Sequence, residues 1–299
     1  LSLGGEYGAS ATYLAEMSTP EHRGFWSGFL YVTLVMGQLL ALLILLLMQY
    51  VLLTPEQIGA WGWRVPFFIG ALGALLVFWL RRHMEESERF QKASTQKEKG
   101  GVRALLQYPR AVLTVCGMTL GGTVIFYTYT IYMQKYLANS IGFPKETATL
   151  VSSASLLVFA AIQPAFGALS DRIGRRPLLL YFGVCATLGT VPLLTLLSGV
   201  SSPWAAFGLI TGALFIASGY TSINAVVKAE LFPTRIRALG VALPYAVTVS
   251  VFGGTTEYVA LWCKQMGHEM WFAYYVSACA LVTLLTVLSL RKTTEIDQN

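Results

Sequence analysis

Long apolar runs separated by short polar loops set the rhythm of this chain. The runs fall near 1–17, 25–50, 61–80, 111–133, 147–169, 178–199, 204–228, 238–262 and 270–290. All but the first reach about 20 residues within boundary error, the length an α-helix needs to cross a hydrocarbon core about 30 Å thick. The pattern predicts an all-α membrane protein with about nine transmembrane helices, the first of them partial.

The polar loops repeat. Ala15-Glu16 is followed by Arg23 in Ala-Glu-Met-Ser-Thr-Pro-Glu-His-Arg-Gly, and Ala229-Glu230 by Arg237 in Ala-Glu-Leu-Phe-Pro-Thr-Arg-Ile-Arg-Ala. Both copies sit between long apolar runs at the same Glu-to-Arg spacing. A repeat at that distance points to two parallel halves of roughly six spans each, an architecture of secondary transporters. If the spans alternate in direction, every Lys and Arg except Arg64, Lys135, Lys145 and Lys264 falls on one side of the membrane. The positive-inside rule makes that side cytoplasmic and places the C-terminus there.

Composition agrees and removes other classes. Apolar residues make up 55% of the chain and charged ones 12%, about half the usual share of a soluble domain. The net charge of +6 lies in loops rather than on one face, so no nucleic-acid partner is expected. Cys116, Cys185, Cys263 and Cys279 lie in or beside apolar spans without CxxC spacing, and read as small packed side chains rather than disulfides or metal ligands. There is no metal-ligand cluster, nucleophile elbow or phosphate loop, so neither an enzyme nor a cofactor is expected. The first residue is Leu and the opening Leu-Ser-Leu-Gly-Gly-Glu-Tyr-Gly already reads as helix interior, so an N-terminally truncated chain is expected. The longest polar stretch, 81–110, reads as a solvated linker with some amphipathic helix, its basic residues suited to anionic lipid as an alternative.

One loop carries a specific signature. Gly167-Ala-Leu-Ser-Asp171-Arg172-Ile-Gly174-Arg175-Arg176-Pro177 joins two spans as a tight turn. It resembles the G-x-x-x-D-R-x-G-R-[RK] loop of the major facilitator superfamily, in its second-half copy, and the paired Glu/Arg loops resemble that superfamily's other repeat. Gly4-Gly5-Glu6-Tyr7-Gly8, Trp61-Gly62-Trp63-Arg64-Val65-Pro66-Phe67 and Ala229-Glu230-Leu-Phe-Pro-Thr-Arg235 narrow the likeness to the metabolite:proton symporter branch. Phe126 to Leu137 and Phe252-Gly-Gly-Thr-Thr-Glu257 are similar to the branch's dicarboxylate carriers. The resemblance implies two six-helix halves: residues 1–80 hold part of helix 4 with helices 5 and 6, 81–110 the cytoplasmic linker, and 111–299 helices 7 to 12 and a tail. It implies proton-coupled symport of a dicarboxylate, α-ketoglutarate first, by a monomer in the bacterial inner membrane. Citrate, shikimate and betaine or proline are the alternative cargoes, and a non-transporting membrane sensor is the remote one. The first copy of the Asp-Arg-Gly-Arg loop is absent.

Candidate site residues follow. Glu6 stands ten residues before Glu16, which is about 15 Å of helix rise and so near the midplane. A carboxylate there is costly unless protonated, paired or facing water, which makes it a proton-coupling residue or else a packing carboxylate between helices. Lys135 follows Tyr127, Tyr129 and Tyr132 at an outer helix end; it snorkels beside an aromatic belt, or, with the family likeness, meets a substrate carboxylate. Tyr127, Thr130 and Gln134 are expected on the same helix face, with Arg64 as a second cation at the outer mouth. Glu257 is expected near the outer interface, solvated or paired with Arg64 or Lys264. Gln38, Gln163 and Asn224 read as cavity or interhelical hydrogen-bonding residues. On the cytoplasmic side, Glu230 is expected to pair with Arg175, Arg176 or Arg237 and Asp171 to cap or pair nearby, while Glu16 and Arg23 pair at most with each other.

Overall fold

The computed structural model describes residues 2–82 and 102–290; most of the expected linker and the tail bearing Arg291 and Lys292 lie outside them. Nine long helices occur among the described residues, and no strand. They are α1 (Ser2–Met17), α2 (Arg23–Leu47) and α3 (Val65–Arg81). After the linker come α4 (Pro109–Ile141), α5 (Lys145–Ile173), α6 (Arg175–Ser198), α7 (Pro203–Glu230), α8 (Arg237–Gln265) and α9 (Met270–Ser289). Eight spans, all except α1, are long and apolar enough to cross a membrane.

Local chemistry sets the breaks. Gly142 and Gly174 take φ of 85° and 88°, a region open to glycine without the Cβ clash, and these residues end α4 and α5. Pro109 and Pro203 open α4 and α7 at the first turn, where a missing N–H leaves no bond unmade. The loop expected at 51–60 contains a short helix, Pro55–Ala60, held by a capping box between Thr54 and Gln57.

α4 runs well past the expected end at 133. Gln134 and Lys135 stop the apolar run, but both find partners and the backbone continues. It does so through two wide turns, Thr128–Tyr132 and Leu137–Ile141, that are π-helical. Each π turn inserts a residue and rotates everything after it around the helix axis.

α4 to α9 form one packed group, with α6 and α4 against α9 and α5 against α7. The earlier helices join it along two seams, α2 on α5 and α1 on α8. Both seams are backbone-close. A Cβ on Gly24 would lie 2.4 Å from the Gly167 carbonyl oxygen, and one on Gly8 would lie 2.4 Å from the Ala242 Cβ. Small residues at helix crossings bring dispersion contacts that lipid cannot match. α3 differs: Phe67, Phe68, Leu72 and Leu75 are all exposed, which suits a surface covered by hydrocarbon.

Candidate functional site

A cavity of about 220 Å³ opens where the two seams meet. α1 supplies Glu6, Tyr7 and Ser10, α2 supplies Tyr31 and Gln38, α4 supplies Phe126 and Tyr127, and α8 supplies Tyr245. Its floor is a ring pair, Tyr7 and Tyr245, stacked at 3.7 Å and 10° across the α1–α8 seam. The Tyr7 hydroxyl donates to Asn224 Oδ1 on α7. Gln38 reaches from α2 to donate to the Thr130 carbonyl at 2.9 Å, within the π-helical turn Thr128–Tyr132. The remaining amide expectation holds on geometry as well. Gln163 donates to Ser218 Oγ at 2.9 Å and accepts from Thr221 Oγ1 at 2.8 Å, a buried tie between α5 and α7.

Below the floor lies a group that the sequence reading missed. Lys228, the last residue of the apolar run 204–228 and one of the basic residues counted on the cytoplasmic side, is inside α7 with no exposed surface. Its Nζ donates to Asn224 Oδ1 at 3.1 Å and sits 4.6, 5.3 and 5.4 Å from the ring centres of Tyr245, Tyr7 and Tyr220. The signal was available: Asn224 and Lys228 are four apart and so share a helix face, and Tyr220 lies two turns before Lys228. A lysine at the end of an apolar run reads as an interfacial one by default, which hid it.

The basic end is closed by ion pairs. Arg175 Nη1 donates to both Glu230 oxygens at 2.5 and 2.7 Å, and Arg23 Nη1 lies 3.7 Å from the same carboxylate. Arg237 Nη1 donates to Glu16 at 3.1 Å, while its Nε donates to the Ala229 carbonyl at 2.8 Å. Asp171 accepts from the backbone N–H groups of Gly24 and Phe25 at 2.8 and 2.9 Å, and so caps α2 across the seam. The expectation that Glu16 and Arg23 keep to each other is corrected. The repeats pair crosswise, Glu16 with Arg237 and Arg23 with Glu230, because the α1–α2 turn faces the α7–α8 turn. Arg176 is not drawn in; its Nε and Nη1 are buried without a hydrogen-bond partner.

The expected substrate residues part company. Tyr127 lines the cavity. Thr130 turns its hydroxyl back to the Phe126 carbonyl at 2.7 Å, and Gln134 donates to Thr149 on α5 at 2.7 Å. The expected common face therefore does not form, since the Thr128–Tyr132 π turn shifts the phase between Tyr127 and Gln134. Lys135 pairs with Glu257 at the end opposite the basic one. Lys264, one of the two cations named as alternatives for Glu257, instead donates to the Asn139 carbonyl and Ser140 Oγ, both at 2.8 Å. Arg64 lies over the Trp63 ring at 4.3 Å and bonds the Ala60 carbonyl at 3.2 Å, away from the cavity lining. Glu6 is exposed and borders the cavity. Cys263 and Cys279 are buried, Cys116 and Cys185 half-buried, and all four are free thiols.

Comparison with known proteins gives this arrangement a family. The chain is 48% identical to the α-ketoglutarate permease of Escherichia coli (strain K12), over 98% of its own length and 67% of the permease. It is 30% identical to the citrate-proton symporter of Klebsiella pneumoniae, over 95% of this chain and 64% of that one. It is 28% identical to the proline/betaine transporter of Escherichia coli (strain K12), over 98% and 60%. The chain thus spans about two thirds or less of the length of these relatives, which are named as carriers and not as enzymes. The family model that matches residues 1–243 is that of the Major Facilitator Superfamily. A multi-pass helical chain with repeated Glu/Arg loops, a cavity at its seams and these relatives belongs to the Major Facilitator Superfamily.

Proposed function

We propose that this chain is part of a carrier for proton-coupled symport of a dicarboxylate, α-ketoglutarate first, by alternating access. In this reading residues 1–80 belong to the first six-helix half (part of helix 4, helices 5 and 6), 111–299 form the second, 81–110 join them, and the protein works as a monomer in a bacterial inner membrane. The basic end and the C-terminus are cytoplasmic. The observation that carries it is the crossed pairing of two repeated loops beneath the cavity. Such pairs form and break together as halves rock, and they hold the cytoplasmic side shut here.

The cargo comes from the 48% identity to a named α-ketoglutarate permease. Glu6 supports the proton role, being the carboxylate on the cavity wall. Lys135 and Arg64 mark the outer mouth, with Tyr127 inside it; Thr130 and Gln134 act by holding α4 to its neighbours. Asp171, Arg175, Glu230, Arg237, Glu16 and Arg23 form the cytoplasmic gate, and Arg176, expected among them, leaves its Nε and Nη1 without a hydrogen-bond partner. The ring faces of Tyr7, Tyr31, Phe126 and Tyr245 favour a second cargo, a betaine-like zwitterion, because aromatic walls attract quaternary ammonium groups.

Uptake of labelled α-ketoglutarate into proteoliposomes, with and without an inward proton gradient, tests the reading. Gradient-driven accumulation that excess unlabelled α-ketoglutarate abolishes and glycine betaine does not is the expected result. Glu6→Gln should remove accumulation while leaving exchange of internal for external cargo. Equal loss of both would assign Glu6 to binding or packing.

A further inference from the structure

Lys228 carries its side-chain amine in the interior, among three tyrosine rings. It is fully buried and has three N–H donors, of which one meets Asn224 Oδ1 at 3.1 Å. No carboxylate lies within ion-pairing distance of it among the described residues. Taking an ammonium out of water costs several kcal/mol, and cation–π contact with desolvated rings returns about 2 or more. Two donors remain unspent, in a protein whose cargo has to be recognised somewhere.

The cage is placed to open. Tyr7 and Tyr245 form the cavity floor and also two walls of the lysine cage. Tyr7 belongs to α1 and Tyr245 to α8, the same two helices that the Glu16–Arg237 pair ties together one level below. Separating α1 from α8 breaks that pair, parts the stack and joins the cavity to Nζ. On the other side, Ala229 and Glu230 line a depression of about 670 Å³ at the basic end. Lys228 therefore stands between the cavity and the side to which cargo is released.

Resting on the transport reading above, we propose that Lys228 is the carboxylate-binding cation of the cargo site. It is caged by Tyr7 and Tyr245 in the present state and uncovered when α1 and α8 part. The chemistry is shared by the cargoes in question, since α-ketoglutarate, citrate and betaine each carry a carboxylate. Asn224 holds the ammonium in place and Tyr220 closes the cage from behind, so both act as positioning residues.

The test separates this role from packing. Lys228→Met keeps the length of the side chain and removes an unpaired buried charge, a change that leaves a merely structural site as stable or more stable. The purified variant and the wild type are titrated with α-ketoglutarate, citrate and glycine betaine, and their unfolding temperatures compared. We expect an unchanged or raised unfolding temperature, with at least tenfold weaker binding of whichever cargo the wild type takes. Lys228→Arg should restore part of that affinity. Affinity within twofold of the wild type in Lys228→Met overturns the proposal.

A second measurement needs no variant. An amine-reactive reagent on the wild type, read by peptide mass spectrometry, should modify Lys228 slowly, and saturating cargo should protect it. Lys228 that never reacts, or reacts equally with cargo present, also overturns the proposal. If the wild type binds betaine or citrate but not α-ketoglutarate, the dicarboxylate reading falls while the Lys228 arm is still read on the cargo that binds. If none of the three is bound, both fall.

Discussion

At the basic end, the side chains of Glu230 and Glu16 are 9% and 3% exposed, and each meets an arginine from a different helix pair. At the opposite end Lys135 and Glu257 meet with 52% and 33% of their side chains exposed. The two ends use the same chemistry at very different strengths. A buried carboxylate deprived of its arginine has no water to turn to, whereas an exposed one is solvated at once. Glu16–Arg237 and Arg23–Glu230 also join the two sequence repeats, so they report on the relative position of the helices that carry them. Lys135 and Glu257 join α4 to α8 within one packed group and report on little beyond that one contact.

The largest expected effect comes from stripping Glu230. Arg175→Ala leaves that carboxylate buried with Arg23 at 3.7 Å as its remaining cation within ion-pairing distance. Breaking a buried pair from one side costs about 3–5 kcal/mol. Denaturant or thermal unfolding in detergent should show a loss of that size, and Glu230→Gln a smaller one, because the amide keeps hydrogen-bonding capacity without the charge. A loss below about 1 kcal/mol in Arg175→Ala would place this pair in the same class as the exposed one.

The crossed pairing itself is tested by a double-mutant cycle. Glu16→Gln and Arg237→Gln, alone and together, should show a coupling of about 0.5–3 kcal/mol, as residues in contact do. The cycle between Glu16 and Arg23, the pairing that chain proximity favours, should show a weaker coupling. Should the Glu16–Arg23 coupling come out larger, the repeats pair locally and the two ends of the molecule differ only in burial.

How much of this was legible follows from the same contrast. The helices were legible because a bilayer demands about 20 apolar residues at a stretch, and the Glu230–Arg175 pair because two short motifs on one side have few other places to go. The crossing of Glu16 with Arg237 was hidden, since it depends on how α1 lies against α8, and spacing along the chain says nothing of that. The split among Tyr127, Thr130 and Gln134 was hidden by the π turn at Thr128–Tyr132, because a face drawn at 3.6 residues per turn ends where an extra residue enters. Lys228 was hidden for a third reason. Its neighbours Tyr7, Asn224 and Tyr245 come from three helices, and the Asn224–Lys228 spacing by itself does not say that a span-end lysine has been drawn inward.

The smallest effect belongs to the exposed pair, and its sign is more informative than its size. Lys135→Gln should change stability by less than about 1 kcal/mol. If Lys135 guides an incoming dianion at the outer mouth, its neutralisation raises the KM for α-ketoglutarate by up to about fivefold, which is the same 1 kcal/mol expressed as affinity. Glu257→Gln should act in the opposite direction, because it removes the carboxylate that competes for the same ammonium. Both changes should shrink as ionic strength rises from 0.01 M to 0.15 M, over which the screening length falls from about 30 Å to about 8 Å. Opposite signs that fade together with salt identify long-range attraction of cargo. Two changes of the same sign, indifferent to salt, would make Lys135 and Glu257 a local clasp between α4 and α8, and the contrast between the two ends would then lie in burial alone.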